Sequence, residues 1–289
     1  NEMLQALFDG LFAGSIYALV ALALTITYQP TRIMNFAQGE AFILGAGAGF
    51  LFLGVYKWNV IIGIVVMLLL SIIMGLLQER MIILPVQLSK SRFAWIIATL
   101  AAALIFQAIF SIRFVGDTLS FNPLIDKSFQ FGKAIISMQM IISILVSLLI
   151  IITYDQFLQR SIHGRAMRAT AHNSDTAIIL GIPTKRIVVG AFVASSVIGA
   201  IAGFLWSPEL GVNPASGLNF TISGFIAAII GGVGSPRGAL LGGIIVGLLN
   251  TFANNIFGGV AANIAVFIAL GLILVIRPAG LFGKPVGAH

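Results

Sequence analysis

The chain reads as a succession of long apolar blocks separated by short polar connections. The blocks run at about 8–28, 36–55, 60–84, 93–114, 138–157, 187–206, 220–233, 239–257 and 260–276. Most hold the roughly 20 residues that a helix needs to cross about 30 Å of hydrocarbon. The alternating pattern of a membrane barrel is absent, so a helical bundle is the remaining way to satisfy the backbone in lipid. The pattern predicts an all-α polytopic membrane protein with eight or nine transmembrane helices, forming one transmembrane domain over 1–289. Blocks 36–55 and 220–233 are the weakest. The first is polar at its start, and the second is short and rich in glycine. Each is either a complete span or a broken or re-entrant one, a form tolerated only where protein or a water-filled cavity covers the backbone.

Composition sharpens this picture. Hydrophobic residues make up 59% of the chain and charged residues 9%, and the mean hydropathy is +1.07. A soluble domain is about half apolar and a quarter charged, so lipid is the expected surrounding. The 32 glycines fit helices that pack closely in a bilayer. The net charge of +7 does not point to nucleic acid, because the basic residues sit in connections and form no basic face. Cysteine is absent, which excludes a disulfide framework, a thiol catalyst and a cysteine metal site.

The basic residues also orient the chain, since Lys and Arg concentrate in cytoplasmic loops. If each block crosses once, one side carries Arg32, Arg80, Lys90, Arg92, Arg160, Arg165, Arg168, Lys185, Arg186, Arg237, Arg277 and Lys284. The other carries only Lys57, Arg113, Lys127 and Lys133. The expected topology has the N-terminus outside, the C-terminus inside, a cytoplasmic loop at 158–186 and an external loop at 115–137. The external loop is either simply solvated or a docking surface for an external partner.

Three stretches carry candidate function. The first is Ser161–Arg186, SIHGRAMRATAHNSDTAIILGIPTKR. Asn173 or Ser174 can cap a helix, Asp175 suits its first turn, and Gly181 followed by Pro183 can end it. Thr184 is a candidate cap for the next span. Ala166, Ala169, Ala177 and Leu180 fall near one helical face, and Arg165, Arg168, His172 and Asp175 near another. A short amphipathic helix of this kind either lies at the membrane surface or docks into a groove of a cytoplasmic partner.

The second stretch is Arg32–Phe50, where Asn35, Gln38 and Glu40 stand at the entrance of an apolar block. A charge deep in a bilayer costs about 2.5–3.5 kcal/mol on insertion scales. Glu40 is therefore expected to face protein, water or the interface. The group reads as a gate on a pathway or as a buried polar network that fixes helix packing. The third is Ser223–Gly247, where Gly231, Gly232 and Gly234 precede the Ser235–Pro236 turn. A span broken by glycine can expose backbone to a pathway. Asn250 and Asn254 add polar groups to the following block, either for a polar solute or for helix packing. The chain lacks G-x-x-x-x-G-K-[ST], and neither H-E-x-x-H nor a nucleophile–base spacing appears. Nothing points to catalysis, a metal or a cofactor in this chain.

Taken in order, GSIYALVALALTITY, IMNFAQGEAFILGA, ERMIILPV, GRAMRATAHNSDTAIILGI, IGGVGSPRGALLGGIIVGLLN and RPAGLFGK resemble the LivH-type permeases. These are membrane subunits of ABC importers for branched-chain or hydrophobic amino acids. The resemblance covers about Leu7 to Lys284. It implies a multi-pass inner-membrane subunit that works by alternating access. Its partners would be a second permease subunit (LivM-type or a second copy), two cytoplasmic ATPases that bind ATP and Mg, and a periplasmic solute-binding protein. The stretch Gly164–Gly181 then looks like the coupling helix, with Gly164, Arg165, Arg168, Ala169, His172, Asn173, Asp175, Ala177, Leu180 and Gly181 as its contact positions. It lacks the glutamate of the E-A-A…G loop found in many importers. The family also includes carriers of urea and short amides. A channel or secondary transporter acting alone is the reading from another class.

Overall fold

The computed structural model describes residues 2–89, 91, 93–132, 134–277 and 279–282. Its long helices are α1 (Glu2–Thr31), α3 (Val60–Leu88), α4 (Ala94–Arg113), α5 (Met138–Arg160), α8 (Thr184–Leu210), α10 (Pro236–Phe257) and α11 (Gly259–Ile276). Helix α2 (Gln38–Gly49) continues into a π-helical stretch, Phe50–Val55. Helix α9 (Gly217–Gly231) is short, and α6 (Ile162–His172) and α7 (Ser174–Ile179) form the connection between α5 and α8. Among the described residues, seven helices, α2 with its π-helical continuation included, are long and apolar enough to cross a membrane; α9 and the apolar part of α11 are shorter.

Helix α1 is the centre of the bundle. It is apolar all round, and such a helix is stable only when other helices or lipid cover every face. Helices α5, α8, α9 and α10 do so, and Ile16 and the run Ala18–Leu24 are fully buried. Small residues allow this. A Cβ on Gly14 would run into the backbone of Ile244, and one on Gly247 into the backbone of Gly14, so α1 and α10 touch backbone to backbone. Helices α2 and α8 meet in the same way where Gly45 faces Ala200 and Gly203 faces the carbonyl of Phe42. Helices α3 and α4 lie at the periphery and expose Ile61, Leu69, Leu77, Ile97, Leu104 and Ile109. In water such surfaces would drive aggregation. In a bilayer they are the lipid-facing side.

The bundle has two distinct ends. At one, Arg32 reaches the carbonyl of Ala171 on α6, Arg237 pairs with Asp155 near the end of α5, and Leu281 donates to Ile230 at the end of α9. At the other, Gln5 bonds Ile135, Ser137 bonds Glu209, and Leu119 pairs antiparallel with Val212. The long helices thus run between the two ends, whereas α2 and α9 are shorter. Among the described residues, Arg32, Arg80, Arg160, Arg165, Arg168, Lys185, Arg186, Arg237 and Arg277 belong to the first end, which carries the candidate docking segment and is called the docking end. Lys57, Arg113 and Lys127 belong to the second. Lys90, Arg92, Lys133 and Lys284 lie outside the described residues.

The 115–137 connection is more ordered than a plain solvated loop. Ser128–Phe131 and Ala134–Ser137 form an antiparallel hairpin. Leu119 and Phe121 turn back into the bundle and are buried. The hairpin has too few residues for the period-2 pattern to stand out from the apolar block that follows.

Candidate translocation junction and docking segment

Local chemistry builds the docking segment. Ser161 caps α6 by accepting from Gly164 N at 2.8 Å. Asn173 is extended (φ −154°), ends α6, and caps α7 by accepting from Thr176 N at 2.9 Å. Gly181 then takes φ +77°. Gly181 N donates to Ile178 O at 2.9 Å and Ile182 N to Ala177 O at 3.0 Å. This is the 6→1 and 5→2 pairing of a Schellman ending, which a residue without Cβ favours.

Two sequence expectations change here. The segment is two helices rather than one, so the faces drawn across it do not persist. Gly164 and Met167 are buried on α6 and Ala177 on α7, Ala169 is half-buried, and Leu180 is 72% exposed. Ala177 and Leu180 therefore do not share a face. Thr184 makes no side-chain cap; Pro183 precedes α8, and its carbonyl accepts from Arg186 N and Ile187 N. Arg165, Arg168, His172, Asn173 and Asp175 are all exposed, as a contact surface requires. Ile178, Ile179 and Leu180 add an exposed apolar tip that follows the cap.

The second site lies deep in the bundle. Gln38, at the start of α2, donates to Ser195 O at 2.9 Å, and its Oε1 lies 2.6 Å from Ser195 Oγ. Ser195 stands eleven residues into α8, about 16 Å at 1.5 Å per residue, or half of a 30 Å core. Helix α2 thus begins near mid-depth and runs toward the hairpin end. Helix α9 also begins there and runs toward the docking end. Its 15 residues span about 22 Å. The two N-termini cross in contact: a Cβ on Gly39 would strike the carbonyl of Gly217.

Polar side chains fasten this crossing. Asn35 donates to Gln78 Oε1 at 3.0 Å, and Gln78 donates to Ala37 O at 2.9 Å. Gly39 N donates to Thr221 Oγ1 at 2.7 Å. Glu40 is the exception. It is fully buried, and neither carboxylate oxygen has a hydrogen-bond partner. Arg32, the nearest basic residue in sequence, is engaged at Ala171. What faces Glu40 is Gly217: a Cβ there would collide with the carboxylate. The positive ends of two helix dipoles therefore flank the acid. On the hairpin side, Phe42, Phe220 and Trp206 stack into a plug, with the Phe42 and Phe220 rings 3.9 Å apart and Trp206 against Phe12.

The structure brings Asn35, Gln38 and Glu40 together and leaves the other candidates elsewhere. Gly231 and Gly232 form the tight α9–α10 turn at the docking end, where Phe282 N donates to Gly231 O. Asn250 and Asn254 lie near the hairpin end of α10, half-buried and exposed respectively. Gln78, Ser195, Gly217 and Thr221 were missed as members of the junction. Each is a polar or small residue inside an apolar block, a signal too common in membrane helices to single them out.

Among the described residues, seven helices long and apolar enough to cross a membrane, two shorter helices that meet at their N-termini and a capped segment at one end define a polytopic membrane protein. Comparison with known proteins gives the family. Residues 6–282 match the family described as the permease component of branched-chain amino acid transport systems, and the chain belongs to it. It is 30% identical to the high-affinity branched-chain amino acid transport permease BraD of Pseudomonas aeruginosa, covering 98% of this chain and 96% of that one. It is 31% identical to LivH of Escherichia coli K12 over the same shares. A probable LivH of Methanocaldococcus jannaschii is 28% identical over 93% and 89%. Among solved structures, PsaBC from Streptococcus pneumoniae in complex with Fab shares the fold, with a TM-score of 0.50, 16% identity and coverage of 95% and 92%.

Proposed function

We propose that this chain is the LivH-like permease of an ATP-driven importer for branched-chain amino acids. The observation that carries the reading is family membership across nearly the whole chain, joined to an exposed apolar tip, Ile178–Leu180, held by the cap at Asn173 and the turn at Gly181. The docking end is cytoplasmic, because it gathers most of the basic residues. There α6 and α7 seat in a cleft of a partner ATPase, which binds and hydrolyses ATP with Mg. A second permease subunit, a second ATPase and a periplasmic binding protein complete the assembly in the inner membrane.

The crossing of α2 and α9 is the gate. Displacing the α9 N-terminus uncovers Glu40 and the N–H groups at two helix starts, which present charge and dipoles of opposite sign to a zwitterion. Motion of α6 reaches it through Arg32, which links the docking segment to the 32–37 connection leading into α2. Urea or a short amide is the alternative solute, since the junction also offers Asn35 and Gln38. The test is uptake of labelled leucine, isoleucine and valine into proteoliposomes holding the complete assembly. ATP-dependent uptake supports the proposal. Uptake of urea or amides alone replaces the solute, and uptake by the isolated chain without ATPases overturns the mechanism.

A further inference from the structure

Helices α5 and α8 separate toward the docking end and leave an open-sided cavity of about 600 Å³ beneath α6. Its lining is mostly apolar and includes Ile26 of α1, Phe157 of α5, Met167 of α6 and Ile187 of α8. Gly190 borders it, and a Cβ there would meet nothing within 4 Å. From Arg186 at the mouth to Ala194 at the inner end is eight residues of α8, about 12 Å. That is most of the depth of one leaflet, roughly 15 Å.

Charge at the mouth selects the occupant. Arg186 and His163 line the rim and are exposed, and no carboxylate is among the lining residues. Lys185, next to Arg186, and Arg165, two residues from His163, are exposed as well. Asp155, on α5 between the lining residues Tyr154 and Phe157, lines a separate cavity with Arg160 and Arg237 and is held by Arg237 at 3.0 Å. A second copy of this chain would bring an equally basic rim against this one, and like charges repel.

We propose that this groove binds a phospholipid with an anionic headgroup. One acyl chain lies along α8 past Gly190, and the phosphate rests at Arg186 and His163. Basic pockets between transmembrane helices suit such headgroups, and the volume is within the usual range for small-molecule sites of about 300–1,000 Å³. The lipid would fill the space between α5, α6 and α8, bracing the docking segment against the bundle.

The experiment uses the assembled transporter, equilibrated with vesicles of equal phosphatidylglycerol and phosphatidylcholine, then analysed by native mass spectrometry. Preferential retention of phosphatidylglycerol is expected. Gly190→Trp fills the groove in open space and should abolish that retention while the assembly stays intact. Arg186→Gln should lower the preference about fivefold, the worth of one basic residue at a membrane surface. Equal retention of the two lipids by the wild type, or undiminished phosphatidylglycerol in Gly190→Trp, overturns the proposal. So does a Gly190→Cys variant that cross-links efficiently to another subunit, since protein would then cover the groove. The readout is lipid rather than uptake, so it stands or falls separately from the solute assignment.

Discussion

Replacing Glu40 with glutamine removes an ionisable carboxyl and almost no volume. The carboxylate is fully buried, near mid-depth, and without a hydrogen-bond partner. A charge there costs about 2.5–3.5 kcal/mol on insertion scales. The two helix N-termini beside it return about 0.3–1 kcal/mol each. The net burden is about 0.5–3 kcal/mol, so Glu40→Gln should stabilise the folded chain by roughly that amount. Thermal unfolding of the purified assembly, followed by tryptophan fluorescence, should show a midpoint raised by a few degrees. If the acid is kept for transport, the same variant should lose most solute uptake while its ATPases still hydrolyse ATP. A site that is destabilising yet required is the signature of function rather than packing. A Glu40→Gln protein that is less stable and transports normally would refute this reasoning, because the carboxylate would then be a structural partner.

A double-mutant cycle tests the contact itself. Gly217→Ala should cost about 1–3 kcal/mol by overpacking against Glu40, and most of that loss should vanish in a Glu40→Ala background, as measured by thermal unfolding of both singles and the double. Gly181→Val forces a β-branched residue into the left-handed region at about 1–2 kcal/mol; ATP hydrolysis should become uncoupled from uptake, whereas Gly181→Asn should retain coupling. Asn173→Ala removes the α7 cap, worth about 1 kcal/mol, and should weaken co-purification of the ATPases in pull-down assays. Arg237→Gln should shift the unfolding midpoint by little, since an exposed pair such as Arg237–Asp155 contributes about 0–1 kcal/mol.

The sequence by itself determined the solvent, the all-α polytopic class and the division of charge between the two ends of the apolar blocks. It could do so because block length, hydropathy and the placement of Lys and Arg are read against a bilayer of fixed thickness. It also located the helix cap at Asn173 and the turn at Gly181, since both act through local backbone chemistry that a few neighbouring residues decide. The break between α6 and α7 was hidden because the capping residue of one helix also ends the other. Only the tertiary structure decided that α2 and α9 both begin near mid-depth. Their starting level depends on Gln38 meeting Ser195 and Gly39 meeting Gly217, partners more than 150 residues away. The same packing left Glu40 without a partner and sent Asn250 and Asn254 to the far end of α10. Polarity within an apolar block tells that a side chain needs company, but which company it finds is fixed by helix crossings that no local pattern records.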